Sequence, residues 1–176
     1  DSGAVYEIPT EKCALIYDRF DPAALAEKMR LIIENPKLAK QLVDAGLDDV
    51  QSTVESCVPE IHDEIMRAKG AFKQTITWLN NALATKLYVM TNTTMLRTNA
   101  HTIPATLDFL ADNGVPTIGL NALILSGQGL TVGTGLRESE LQPLLDVSTQ
   151  KTAARGQRLI WYTPTQYCEF DPTASN

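Results

Sequence analysis

The sequence predicts an α/β protein in which about five mainly parallel strands alternate with helices. Short apolar runs alternate with segments whose apolar residues recur every three to four positions. Pro, Asn and Gly stand at the junctions between the two kinds of segment. The connections are long enough to contain a helix, which favours parallel neighbouring strands and right-handed crossovers. With 44% hydrophobic and 20% charged residues among 176, we expect one ordinary folded domain over 1–176.

The predicted strands are short, apolar runs bounded by turn residues. They cover 14–17, 49–55, 87–90, 115–122 and 159–162. The tail, 164–176, has no periodicity and is expected to be irregular.

Helices are predicted between these strands from their start and stop residues. Asp21 and Pro22 begin the first one, since Asp caps a helix and Pro presets its first backbone angle. Gly46 ends a second, short helix. The longest helical region covers 59–83 with an interruption near Gly70. A later helix stops just before Gly114.

Two architectures fit this alternation: a partial β/α barrel and an open, doubly wound, flavodoxin-like sheet. Both bind ligands at the carboxyl ends of their strands, so candidate residues follow without a choice between them. The polar residues at these ends are Glu55, Ser56, residues 91–94, Asn121, Thr163 and Gln166. They suit a small polar ligand, or else they close turns and cap helices.

Charge and cysteine usage exclude several classes of function. A net charge of -6 without a Lys/Arg cluster argues against nucleic-acid binding. No apolar run approaches the ~20 residues of a membrane span and no signal peptide is evident, so we expect a cytoplasmic protein. Cys13, Cys57 and Cys168 are far apart, which predicts neither a disulfide nor a metal site.

Other conspicuous residues give weaker signals. The glycine-rich stretch 126–135 lacks the spacing of phosphate-binding loops and favours a flexible connector over the mouth of the barrel. His62 and His101 lack ligand-spaced partners, which favours surface or capping roles. Trp78 and Trp161 are expected to pack in the core. We predict no catalytic residue from these patterns.

Several ordered motifs resemble the later part of a radical S-adenosylmethionine enzyme barrel of the SPASM type. The fourth strand and helix of that family are similar to 42–56, 59–63 and 70–75, the fifth strand to 88–94, and the sixth strand to 114–121. The stretch 159–164 with Tyr167 and Cys168 resembles the segment before the auxiliary-cluster domain. The resemblance covers about residues 37–172.

The resemblance implies a partial barrel whose strand ends surround S-adenosylmethionine, with a four-iron four-sulfur cluster as reductant. By position, the residues expected to bind the cofactor are Glu55, Ser56, Asn92, Thr93 and Asn121. The CxxxCxxC loop that holds the cluster is absent, as is the glycine-glycine-glutamate motif of the second strand. We therefore expect no cofactor-dependent activity from this chain alone, although the resemblance leaves enzymatic activity open.

Residues 10–40 loosely resemble the C-terminal end of a family 4-type glycosyltransferase instead. A join near 42–48 would make the chain a chimera or an engineered α/β scaffold without selected activity. A third hypothesis is a binding module for S-adenosylmethionine or a nucleoside-like ligand, with the strand ends as its site. An exposed sheet edge would also let two copies pair as a homodimer.

Overall fold

The fold was described from a computed structural model, over residues 36–163. The predicted strand at 14–17, the helix beginning at Asp21 and the tail 164–176 lie outside this range. Most of residues 10–40, for which a glycosyltransferase resemblance was proposed, also lies outside it. The expected single domain therefore stays a prediction.

Four parallel strands and five α-helices alternate along the described residues. In chain order they are α1 Pro36–Asp44, β1 Asp49–Thr53, α2 Pro59–Met66, α3 Ala71–Leu83, β2 Tyr88–Met95, α4 Ile103–Asp112, β3 Thr117–Ala122, α5 Glu138–Ala154 and β4 Arg158–Trp161. Short 3-10 turns occupy Ala100–Thr102 and Gly127–Leu130. The predicted α/β class, with parallel strands alternating with helices, is confirmed.

The sheet has the order β1-β2-β3-β4, so each strand pairs with the next one along the chain. Right-handed crossovers in a sequential sheet place the connecting helices on one face. Within the described residues α3 packs on β1 and β2, and α5 packs on α4 and β4. This order occurs in a β/α barrel and along one half of a flavodoxin-like sheet, and both predicted architectures remain compatible with it.

The hydrophobic core lies between these helices and one face of the sheet. Along β2 the buried residues alternate, with Val89, Thr91, Thr93 and Met95 facing the helices. Trp78 and Trp161 pack against this core, as predicted. The largest fully buried apolar side chains include Leu79, Leu110, Ile118, Leu120, Leu141 and Leu145.

Two helices end at the glycines that were predicted to end them. Gly46 (φ 94°) follows α1 and Gly114 (φ 80°) follows α4, both in the left-handed region that glycine adopts without strain. The predicted interruption near Gly70 separates α2 from α3. Asp63 caps the start of α3, because its carboxylate accepts hydrogen bonds from the backbone N–H groups of Gly70 (2.5 Å) and Phe72 (2.8 Å).

The predicted end of the strand at residue 90 is wrong, since β2 continues to Met95. The added residues pair with β3 from Thr91–Ile118 to Met95–Ala122, so their backbone groups keep ladder partners. Threonine also suits a pleated strand, and the Thr93 hydroxyl donates to the Val54 carbonyl at 2.6 Å. Residues 91–94 therefore lie within the strand, not beyond it.

Two further findings concern the surface of the described residues. None of the helices in 36–163 combines the length and apolar character needed to cross a membrane. β1 and β4 form the edges of the described sheet. The cytoplasmic location and the pairing of an edge with a second copy stay predictions.

Candidate ligand site at the strand ends

The side of the sheet opposite the helices, called the back face here, carries part of the candidate ligand site. Strand register places Thr53 beside Asn92, and Asn92 beside Gly119. Thr94 pairs with Asn121 on the same face. Two of the predicted cofactor-binding residues, Asn92 and Asn121, therefore lie on the back face of adjacent parallel strands. Asn121 is the last residue but one of β3, whereas Asn92 lies inside β2, level with the last residue of β1.

Ser56 and Thr93, two other predicted residues, lie among the buried residues instead. Thr93 is 1% exposed and faces the helices. Ser56 is fully buried, where its hydroxyl accepts the Val58 N–H at 3.0 Å and shares a hydrogen bond with the Thr102 hydroxyl at 2.9 Å. Both hydroxyls hydrogen-bond within the protein, and a role for them in cofactor binding stays a prediction.

Glu55, the fifth predicted residue, follows β1 directly and is 5% exposed. One of its carboxylate oxygens, Oε2, accepts the backbone N–H of Thr94 at 2.8 Å. Burial raises the pKa of the Glu55 carboxyl from its usual 4.5 to about 7, and the hydrogen bonds from Thr94 only partly oppose this. Near neutral pH this carboxyl is therefore present in both its protonated and its ionised form.

Asn99 joins the ends of β1 and β2, a role that the sequence did not reveal. The side chain is fully buried, and its Nδ2 donates to the carbonyl oxygens of Glu55 (2.7 Å) and Thr94 (2.8 Å). Its Oδ1 accepts the Leu96 N–H at 2.8 Å. An asparagine in a short polar loop gives no sequence signal for such a three-point contact.

His62 also supports Glu55. Of the two roles predicted for it, surface or capping, the surface role is wrong. The ring is fully buried, its edge packs on Phe72 with the ring centroids 5.6 Å apart, and Nδ1 accepts the Glu55 N–H at 3.1 Å. Burial lowers the pKa of the imidazole, against the opposing charge of Asp63. The neutral ring is the form that can accept this hydrogen bond. His101, in contrast, is exposed as expected.

Two buried amide oxygens on the back face have no hydrogen-bond partner within residues 36–163. They are Oδ1 of Asn92 and Oδ1 of Asn121. The Asn121 amide nitrogen makes only long contacts of 3.4 Å, to the Thr94 hydroxyl and the Ala122 carbonyl. Because buried acceptors in proteins are nearly always paired, these two oxygens are suited to N–H or O–H donors of a ligand.

Thr53, Thr163 and Gln166 are the remaining strand-end residues, and Thr53 was not identified from the sequence. Thr53 lies on the back face beside Asn92, but the predicted strand extended past it to residue 55. Thr163 accepts the Ala122 N–H at 2.8 Å and so joins the end of β4 to β3. Gln166 lies outside the described residues.

The described residues do not fit an iron-sulfur cluster. Between residues 36 and 163 no three His, Cys, Asp or Glu side chains are grouped closely enough to hold a metal ion, and Cys57 is the one cysteine in that range. The whole sequence contains three cysteines and no CxxxCxxC motif. The back face instead offers hydroxyl and amide groups beside a glycine.

Fold and geometry define a protein of parallel strand-helix units with a candidate small-molecule site at the carboxyl ends of its strands. Over 117 residues the chain is 27% identical to Fe-coproporphyrin III synthase of Methanosarcina barkeri (strain Fusaro / DSM 804), a radical S-adenosylmethionine enzyme. The match covers 66% of this chain and 29% of that enzyme, so the chain spans about three tenths of its relative. No protein-family model matches the chain. The distant similarity supports a relation to radical S-adenosylmethionine enzymes.

The raised pKa of Glu55 predicts a pH-dependent stability. Between pH 4.5 and 7 the folded state holds a proton that the unfolded state has released, so the free energy of unfolding falls as the pH rises through this window. Glu55→Gln removes this pH dependence, because glutamine does not titrate. Relative to that variant, the free energy of unfolding of the wild type should fall by about 2 kcal/mol between pH 5.5 and pH 8, as measured by urea denaturation.

Glu140→Gln is the matched control for this comparison. Hydrogen bonds from the Arg137 N–H and from Arg97 lower the pKa of Glu140, so it is ionised in both states over this range. Its difference from the wild type should hardly change with pH. An equally flat difference for Glu55→Gln would contradict the raised pKa of the buried Glu55 carboxyl.

Proposed function

We propose that this chain is a radical S-adenosylmethionine-related barrel segment that forms one wall of a nucleoside-binding site and is not catalytic by itself. One observation carries the proposal most directly. The buried amide oxygens of Asn92 and Asn121 lack partners within the described residues, and they lie on the back face, level with the end of β1 and next to the end of β3, respectively. That is the place where sheets of this kind bind ligands. The distant similarity to a radical S-adenosylmethionine enzyme supports the choice of ligand.

The chemistry of S-adenosylmethionine matches the groups on this wall. Its base and ribose present N–H and O–H donors, which suit the Oδ1 atoms of Asn92 and Asn121 and the hydroxyl of Thr53. Its ammonium and sulfonium groups are cationic. Glu55, when ionised, supplies a negative charge at the end of β1. The wall therefore combines neutral hydrogen-bond acceptors with one carboxyl group, that of Glu55, which titrates near neutral pH.

The absence of catalysis is proposed from the sequence. A radical reaction of this family begins with an electron from a four-iron cluster, and the CxxxCxxC ligands of that cluster are missing here. The residues of the back face can bind and orient a ligand, but none of them supplies an electron. Binding without chemistry is the activity that this set of residues supports.

The chimera hypothesis makes a different proposal for the same chain. The suggested join at 42–48 includes the turn at Gly46 between α1 and β1, a place where two α/β units can be connected without breaking an element. A scaffold without selected activity would bind no nucleoside. Ligand titration separates the two proposals.

Calorimetric titration with S-adenosylmethionine and S-adenosylhomocysteine tests binding. We expect saturable binding at micromolar concentrations, abolished in the double variant Asn92→Ala/Asn121→Ala because both ligand-facing acceptors are removed. Asn80→Ala, an exposed position in α3, is the control and should bind like the wild type. No saturable heat, or binding unaffected in the double variant, would contradict the proposed site.

Anaerobic reconstitution with iron and sulfide tests the proposed lack of a cluster. We expect no absorption band near about 400 nm and no stoichiometric iron, because three widely spaced cysteines cannot hold the cluster of this family. A protein that carries the CxxxCxxC loop is the positive control. Four irons bound per chain, retained after desalting, would refute this part of the proposal.

A further inference from the structure

The two edge strands of the sheet, β1 and β4, each have one neighbour within residues 36–163. An edge strand presents a row of backbone N–H and C=O groups without ladder partners, and such a row can pair with a strand of another chain. Since every pair in this sheet is parallel, β1 and β4 run in the same direction. A second copy of the chain can therefore continue the parallel ladder at either edge.

The back face of the sheet is open as well. The connecting helices cover one face, whereas all-parallel sheets in proteins are almost always covered on both. On the back face Tyr88 is 44% exposed and Tyr162 is 47% exposed. The Tyr162 ring also occupies the space that a Cβ atom at Gly119 would need, so it lies flat against β3. A barrel covers such a face by closing the sheet on itself.

The two edges carry opposite charges at the same end of the back face. Asp49 begins β1 and Arg158 begins β4, and both side chains are exposed. Strand pairing carries Arg158 across the sheet to the level of Gln51, two residues from Asp49. Within residues 36–163 neither charge forms an ion pair. Because diagonal cross-strand neighbours are within reach of long side chains, β4 of one copy beside β1 of another brings an arginine to an aspartate.

We propose that two copies of this chain close into one eight-stranded β/α barrel, with β4 of each copy paired in parallel with β1 of the other. Four parallel strands in sequential order are half of such a barrel. A two-fold axis along the barrel repeats the β4–β1 contact, closes the ring and leaves no edge strand. The two back faces line one interior, and the second copy supplies the wall opposite the candidate site. Only the completion of that site rests on the proposed nucleoside-binding function.

Charge reversal at the edges tests the ring in the full chain. Without ligand, the wild type should sediment at micromolar concentrations with about twice the 19.3 kDa mass of one chain. Asp49→Lys and Arg158→Glu should each weaken self-association by about 10- to 100-fold, because each places like charges at both contacts. Lys73→Glu in α3 and Asp146→Lys in α5 reverse exposed charges away from the edges, and these controls should dimerise like the wild type.

A mixture of the two edge variants gives the sharpest result. In a mixed ring, Arg158 of the Asp49→Lys chain meets Asp49 of the Arg158→Glu chain, and the introduced lysine and glutamate meet at the other contact. The equimolar mixture should therefore form heterodimers with nearly wild-type affinity, at concentrations where neither variant dimerises alone. An antiparallel dimer through β1 alone would respond to Asp49→Lys and not to Arg158→Glu.

Hydrogen exchange of the wild type tests the ring without any substitution. The outward amide groups of β1 and β4 should exchange slowly where the protein is dimeric and faster after dilution to the monomer, because the ladder between copies is then lost. Amide exchange in β2, whose neighbours belong to the same chain, should change little on dilution.

Several results would overturn the ring. They are a monomer up to the solubility limit, an undiminished dimer of Arg158→Glu, a mixture that associates no better than its components, and edge amides unaffected by dilution. Growth beyond two copies would also overturn it, because a contact that does not close builds an open chain. Association is measured without ligand, so a dimer that binds no nucleoside keeps the ring and overturns only the proposed binding function.

Discussion

The geometry of the strand ends depends on the amide of Asn99. This buried side chain donates to the carbonyls of Glu55 and Thr94 and accepts the N–H of Leu96, so it joins the residues just after β1 to the end of β2. Each of these backbone groups would cost about 1–3 kcal/mol if left buried without a partner. His62 binds the Glu55 N–H as well, and the Glu55 carboxylate accepts the Thr94 N–H. Glu55 is therefore held by its backbone N–H, its carbonyl and its side chain.

The alternation of side chains along β2 divides the polar residues between two environments. Thr91 and Thr93 face the helices, while Asn92 and Thr94 face the opposite side beside Gly119 and Asn121. A shift of one residue in register would exchange these two sets. The pairing of β2 with β1 and β3 thus determines which of the strand-end residues a ligand can reach.

The class of fold and the ends of several helices could be predicted from sequence, because local chemistry encodes them. Gly46 and Gly114 occupy left-handed positions that other residues avoid, so their meaning does not depend on distant contacts. The end of β2 could not be predicted in the same way. Residues 91–94 are polar, and the ladder to β3 keeps them in the strand.

The candidate site was predictable only in part for a related reason. Asn92 and Asn121 follow from the rule that ligands bind at strand ends, and the structure places both on the back face. The burial of His62, the three bonds of Asn99 and the contact of Tyr162 with Gly119 arise between residues distant in sequence or in different elements. No local pattern in a single sequence encodes such contacts.

Chemical-shift mapping of isotope-labelled protein during titration with S-adenosylmethionine tests the central claim most directly, because it locates the ligand residue by residue. The account predicts that the largest amide shifts fall on the back face, at Thr53, Asn92, Gly119 and Asn121, with little change at Lys86 and Gly114 near the amino ends of β2 and β3. Shifts confined to the helices, or no shifts at saturating ligand, would contradict a binding site on the back face.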